Sequence, residues 1–250
     1  MSLLTNQLVI AAFLAFCRIG ACFMLMPGLS SVRVPVQIRL FVAVAATFAL
    51  LMHLWDSLVP FASREPVVLA GLVISEILIG ALIGIMTRIY VLALQFIGTA
   101  MAMMMGFGGM VTPAIEEAEP QAPIANLITF SALMLLFVLN FHHEIIKGLV
   151  ASYRIAPPNL LFSPRSALTD VTDTLSESFM VMLQLGSPFV AYGILVNLAI
   201  GFVNKMTPQI PIYFISLPFV LAGGLLLVYL GIGPMLRLFA EGFVPVTIGR

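Results

Sequence analysis

Charge is what this chain has least of. Only 9% of its 250 residues are Asp, Glu, Lys or Arg, where a water-soluble domain carries about 25%. So few charges cannot cover a soluble surface, and the chain must face lipid, other apolar subunits, or both. Those present cancel, 11 basic against 11 acidic, which leaves no basic field to attract nucleic acid. Cysteine is scarce as well. Cys17 and Cys22 lie in one apolar run on different helix faces and read as small buried hydrophobes. The start, MSLLTNQLVIAAFLAF, lacks a basic n-region and a small-residue cleavage site. It reads as part of the mature protein rather than as a signal peptide.

Signatures of chemistry are missing too. There is no GxSxG, no HExxH and no Walker lysine loop. Asp56, Asp170 and Asp173 sit near the ends of apolar stretches, poor places for the paired aspartates of an intramembrane protease. His142 and His143 are adjacent, and the only other histidine is His53. Adjacent side chains point roughly 100° apart on a helix, and zinc needs three or four ligands. The pair reads as a polar helix end. No catalysis, no metal and no cofactor are expected.

What is present is apolar length. Hydrophobic residues make up 61% of the chain, with a mean hydropathy of +1.14. The runs cover 8–26, 38–54, 67–105, 124–141, 176–203 and 212–239. They are long, rich in Leu, Ala, Met and Ile, and show no alternation of period two, so helix is preferred over strand. Backbone groups in lipid must also be satisfied within their own segment. The expectation is an all-α integral membrane protein of about six long apolar segments. The third run is too long for one straight span and is expected to bend or break near Thr87-Arg88, or to extend beyond the bilayer. Proline and glycine mark the connections 27–37, 106–123 and 156–166. Ser163-Pro164 and Asp170 suit the start of a helix. Arg33 and Arg39 favour one loop for the cytoplasm, while Lys147, Arg154 and Arg165 favour another, so orientation stays open.

Arg18, Glu76 and Arg88 lie inside apolar runs. A charge at the bilayer centre costs roughly 2.5–3.5 kcal/mol on insertion scales, so each needs a partner, a polar cavity or a place outside the membrane core. An ion or proton pathway is one reading. Interhelical or intersubunit pairing is the other, and is favoured, because a proton relay shows more acids along one face. Gln95 and Asn197 join this set of buried polar or intersubunit candidates. Gly80 and Gly84 form GxxxG, which lets two helices approach closely. Met101, Met103, Met104 and Met105 lead into Gly106-Phe107-Gly108-Gly109-Met110. Two readings stand: a Met-rich core helix with a glycine cap, or a deformable apolar closure across a passage. At 195–218 a polar turn joins two long apolar runs. Pro208 cannot continue a regular helix, so the chain should turn, presenting Asn204, Lys205 and Gln209 at a hairpin tip.

These features together resemble the FliR family, the flagellar member of the type III secretion export-gate proteins, whose virulence counterpart is SctT. The likeness covers nearly the whole chain. Its segments are Arg18 with Met26-Pro27-Gly28, Glu76 through Gly80 with Gly84, Gln95 through Gly106, and Leu136-Phe137 with Asn140 and His142-His143. Leu195 through Ala199 with Asn204 through Gln209 is the most specific. The Asn-His-His neighbourhood looks more flagellar than virulence-type.

The resemblance implies a FliP-like part over 1–166 fused to a FliQ-like helical hairpin over 167–250. It implies FliP-like and FliQ-like gate subunits, an FlhB-like switch protein and the flagellar basal-body ring as partners. The complex would pass unfolded export substrates across the bacterial inner membrane. It also makes the loop after Met105-Gly106 a pore plug, with Met104, Met105, Gly106, Phe107, Gly108, Gly109 and Met110 as its residues. The sequence departs there: many relatives carry phenylalanines and Asp-Pro after the Met-Gly pair, where this chain has Gly108, Gly109 and Thr112-Pro113. The alternative is a small secondary transporter or channel using Glu76, Arg88 and Gln95.

Overall fold

The computed structural model describes residues 2–61, 65–109, 112–113, 120–158 and 162–248. Its helices are α1 (Ser2–Leu25), α2 (Val36–Leu58), α3 (Pro66–Met104), α4 (Pro123–Val138), α5 (Phe141–Ile155), α6 (Pro164–Met206) and α7 (Ile212–Ile248). A short 3-10 turn, Val59–Phe61, follows α2. Among the described residues the one extended feature is an isolated bridge between Thr112 and Gln121. The protein is all-α.

Proline sets several starts. Pro66, Pro123 and Pro164 each open a helix, where the missing N–H would have had no partner anyway and the fixed φ suits the first turn. Pro188 instead lies within α6. It deprives the Gln184 carbonyl of its usual donor, and the Ser187 hydroxyl donates to that carbonyl at 2.9 Å. The helix continues through.

Among the described residues five helical segments are long and apolar enough to cross a membrane: Thr5–Leu25, Val36–Phe61, Pro66–Met104, Pro164–Met206 and Ile212–Phe243. A sixth arises if α4 and α5 count as one broken span. The break falls at Asn140, whose φ of 58° is left-handed, a conformation asparagine tolerates better than most residues. With these spans the chain is a multi-pass membrane protein. The expected break near Thr87-Arg88 is absent. Thr87 donates its hydroxyl to Gly84 O at 2.8 Å, so this polar group is satisfied inside an unbroken helix. At 39 residues α3 is about 58 Å long, well beyond the ~30 Å hydrocarbon core.

The chain divides into two compact units. The first holds Met1–Tyr90, Leu139–Leu175 and Phe243–Arg250. Its core joins Leu14, Ile19 and Phe23 of α1 to Leu51, Leu54 and Leu58 of α2 and to Ile145 and Leu149 of α5. On α5 the buried positions Phe141, Ile145, Leu149 and Tyr153 recur every four residues, one stripe of an otherwise polar helix. Between α1 and α3 the backbones nearly touch. A Cβ at Gly80 would fall on the Arg18 carbonyl, and one at Gly84 would lie 2.8 Å from Cys22 O and Leu25 Cβ. This is the close approach expected of the GxxxG pair.

The second unit holds Val91–Val138 and Ser176–Gly242. Here α3, α4, α6 and α7 pack by placing side chains against glycines. Ile97 of α3 occupies the space that a Cβ at Gly186 of α6 would need. Gly98 of α3 faces Ala125 of α4, with 3.4 Å from its ideal Cβ to the Ala125 Cα. Tyr192 of α6 lies over Gly223 of α7, and its hydroxyl donates to Val220 O at 2.7 Å.

Candidate functional site

In the first unit the buried polar candidates converge on Arg18. Its Nε and Nη2 donate to the two carboxylate oxygens of Glu76, each at 2.7 Å. Nη1 reaches Ser152 Oγ at 3.0 Å, and Nη2 also reaches Ala156 O at 2.9 Å. The guanidinium carbon lies 3.9 Å from the centroid of the Tyr153 ring. Arg18 and Glu76 are both fully buried. A charge survives burial when it is paired and its donors are satisfied, and this guanidinium has both. The pair joins α1 to α3, and its further bonds reach α5 and the residue after it. What this geometry can do chemically is fix the register of three helices. Arg88, also on α3, is half-buried. His142 and His143 stand in the first turn of α5.

Arg39, read from the sequence only as a loop cation, has a structural role. It donates to Val34 O from Nε at 3.1 Å and to Ser31 O from Nη2 at 2.5 Å, which ties down the turn between α1 and α2. A cation beside a proline-rich turn was the available signal.

In the second unit the methionine and glycine segment takes a definite shape. Gly106 has φ of 85°. Its N–H donates to Met103 O at 3.1 Å, and that of Phe107 to Ala102 O at 2.9 Å. This pair of bonds is the Schellman cap, which places glycine at the left-handed position. Met105 is fully buried while Met103 is 60% exposed. A Cβ at Gly224 of α7 would lie 2.5 Å from Met105 Cγ, and one at Gly193 of α6 would lie 2.6 Å from Met104 Sδ. Met104 and Met105 are therefore held in glycine sockets. Gly106 faces Leu217, Val220 and Leu221 of α7, whose nearest atoms would lie 3.4–3.7 Å from its Cβ. Phe107 is half-buried, and Gly108 and Gly109 are exposed. Met110 lies outside the described residues.

Beyond that segment Thr112 and Gln121 exchange both backbone hydrogen bonds, at 2.8 and 2.9 Å. Asn126 of α4 is buried, and its amide donates to Thr112 Oγ1 at 2.8 Å and to Pro113 O at 3.3 Å. Sequence reasoning noted Thr112-Pro113 only as a departure from the relatives' pattern and missed Gln121 and Asn126. An amide in the first turn of an apolar helix was the available signal, since a buried amide requires partners.

The remaining candidates lie elsewhere on this unit. Gln95 is buried on α3. Asn197, a candidate for burial within the chain or against a neighbouring subunit, is exposed in this chain. Its amide donates to Gly193 O, one turn back, at 2.7 Å, so the helix itself satisfies part of it. At the hairpin tip α6 stops at Met206 and α7 starts at Ile212, which puts the turn where Pro208 places it. Asn204, Lys205, Pro208 and Gln209 are all exposed.

Among the described residues no group of three or more His, Cys, Asp or Glu side chains is placed to hold a metal.

Comparison with known proteins matches this architecture to one family. The model for bacterial export proteins, family 1, matches residues 9–245. The flagellar biosynthetic protein FliR of Caulobacter vibrioides is 30% identical over 244 residues, covering 94% of this chain and 93% of that one. FliR of Escherichia coli is 29% identical over 226 residues, covering 90% and 84%. The secretion system apparatus protein SsaT of Salmonella typhimurium is 24% identical over 217 residues, covering 85% and 83%. The chain belongs to the bacterial export proteins, family 1.

Proposed function

We propose that this chain is a subunit of the flagellar type III protein export gate, with no catalysis of its own. It lines part of the conduit that carries unfolded substrates across the bacterial inner membrane during flagellum assembly. The observation that carries this reading is the end-to-end likeness to flagellar biosynthetic proteins, over 94% of the chain for the Caulobacter relative. In this reading 1–166 is the FliP-like part and 167–250 the FliQ-like hairpin. FliP-like and FliQ-like subunits, the FlhB-like switch protein and the basal-body ring are its neighbours.

The loop that follows the socketed Met104 and Met105 is the element that closes the passage. Its support is positional: it leaves a capped helix end at Gly106 and exposes Gly108 and Gly109. Arg18, Glu76, Arg88, Gln95 and Asn197 serve packing within the chain or against neighbouring subunits. A virulence-type role is the second reading, carried by the likeness to SsaT at 24% identity. A transporter built on Glu76 has less support, because that carboxylate is buried and bound on both oxygens by Arg18.

Co-purification tests the proposal. A gate subunit extracted in mild detergent brings down two other small apolar proteins and transports nothing when reconstituted alone. Solute transport by the lone chain in vesicles would reject it.

A further inference from the structure

Asn126 is 9% exposed, and both of its described side-chain bonds go to the loop that precedes α4, at Thr112 and Pro113. The Thr112 hydroxyl accepts from Asn126 and donates to Gln121 O at 3.1 Å, so it works in both directions. With the backbone bonds that Thr112 and Gln121 exchange, these contacts close a neck in the connection between α3 and α4. The neck divides the connection in sequence. Gly106–Gly109 comes before it.

The neck and the glycine stretch differ in how readily they move. Opening the neck would strip partners from a buried amide and from two backbone pairs, and unpaired buried donors are costly. Gly108 and Gly109 are exposed, and a Cβ at Gly109 would meet nothing within 4 Å. Glycine also passes between backbone conformations that other residues cannot reach.

We infer that Asn126 is the positioning residue of this loop: it holds the Thr112–Gln121 neck shut throughout transport, and opening is confined to Gly106–Gly109. The inference rests on the reading that this loop closes the passage.

The test uses the assembled gate carrying T112C/Q121C. Partners that exchange both backbone bonds have Cα atoms about 5.5 Å apart, within the reach of a disulfide. The native Cys17 and Cys22 are buried and stay out of the reaction. Export is measured in one preparation, oxidised and then reduced. The same rate in both states is expected. A block on oxidation that reductant reverses would overturn the fixed neck.

A second arm uses N126A. In the assembled gate its ion leak should rise about fivefold, the change in open fraction that losing a buried hydrogen bond produces. Oxidised T112C/Q121C/N126A should return the leak to the wild-type level, because the disulfide replaces the lost clasp. A merely structural role would show no such rescue. An unchanged leak in N126A, or a leak that the disulfide leaves in place, overturns the role of Asn126. Deleting Gly106–Gly109 separates the two ideas. Unchanged conductance there rejects the pore-closing reading itself, whereas a leaky deletion combined with oxidation-blocked export rejects the fixed neck alone.

Discussion

Arg18 and Glu76 form a two-pronged ion pair, 2.7 Å on each prong, with both side chains out of solvent and 58 residues apart in sequence. Breaking such a pair from one side leaves a buried charge without its partner, at a cost of about 3–5 kcal/mol. Replacing both members by apolar residues of similar volume is far milder. R18M should therefore lower the yield of folded protein sharply, and R18M/E76L should recover much of it. Thermal unfolding of the detergent-purified chain measures both. A double variant no better than the single one contradicts a pairing role.

E76Q addresses the same pair from the functional side. Glutamine keeps the shape but removes the charge and puts an NH2 donor in place of one of the two oxygens that accept from Arg18. Assembly should weaken, because Arg18 is left buried without its counter-charge, and in the complexes that do form the pH profile of export should keep its wild-type form. A displaced pH profile at normal assembly would make Glu76 part of a proton path.

The glycines rank by what stands opposite them. A Cβ at Gly80 meets the Arg18 backbone, whereas one at Gly224 meets the flexible Met105 side chain. Backbone cannot step aside without moving a helix, and overpacking typically costs about 1–3 kcal/mol, sometimes more. G80A should be the more damaging, and G224A should be partly repaired by M105A. The reading is the stability of G224A, M105A and the double variant. Strict additivity of the two would mean that Met105 does not fill the Gly224 socket.

The helical class, the apolar runs and the glycine cap were legible because each is local. Run length, a Met-Gly junction and a Ser-Pro start are read within a few residues. That α3 packs closely on some helix was legible for the same reason, since Gly80 and Gly84 sit one turn apart; that the helix is α1 was not. Of the two outcomes open for the third run, a bend or break near Thr87-Arg88 or extension beyond the bilayer, the 39-residue helix takes the second. A polar pair suggests a break unless the hydroxyl can bond its own helix, as Thr87 does. The helix α5 escaped the apolar runs, since only every fourth residue along it is buried. Partner choice was not legible at all. That Arg18 takes Glu76, or that Asn126 takes Thr112, follows from helix placement over long separations, which local pattern does not encode. The exposure of Asn197 within this chain was not legible, because an amide in an apolar run reads as covered, whereas its bond to Gly193 O lets it lie on the outside of α6.

The hairpin tip carries the next prediction. Lys205 and Gln209 are exposed at the turn between α6 and α7, and Gln209 can both donate and accept. In an export gate they should contact neighbouring gate subunits or the adjoining switch protein. A photo-crosslinker at position 209 should form adducts with those proteins. Adducts to lipid alone would leave Lys205 as a side chain that reaches for the membrane interface.

The measurement that bears most directly on the account is ion conductance of the assembled complex after deletion of residues 106–110. Their removal takes out the Gly106 cap and the residues that lead from it toward Thr112, and touches neither Arg18–Glu76 nor Met104 and Met105 themselves. The account predicts normal assembly with raised conductance across the inner membrane. Normal assembly with unchanged conductance would contradict it.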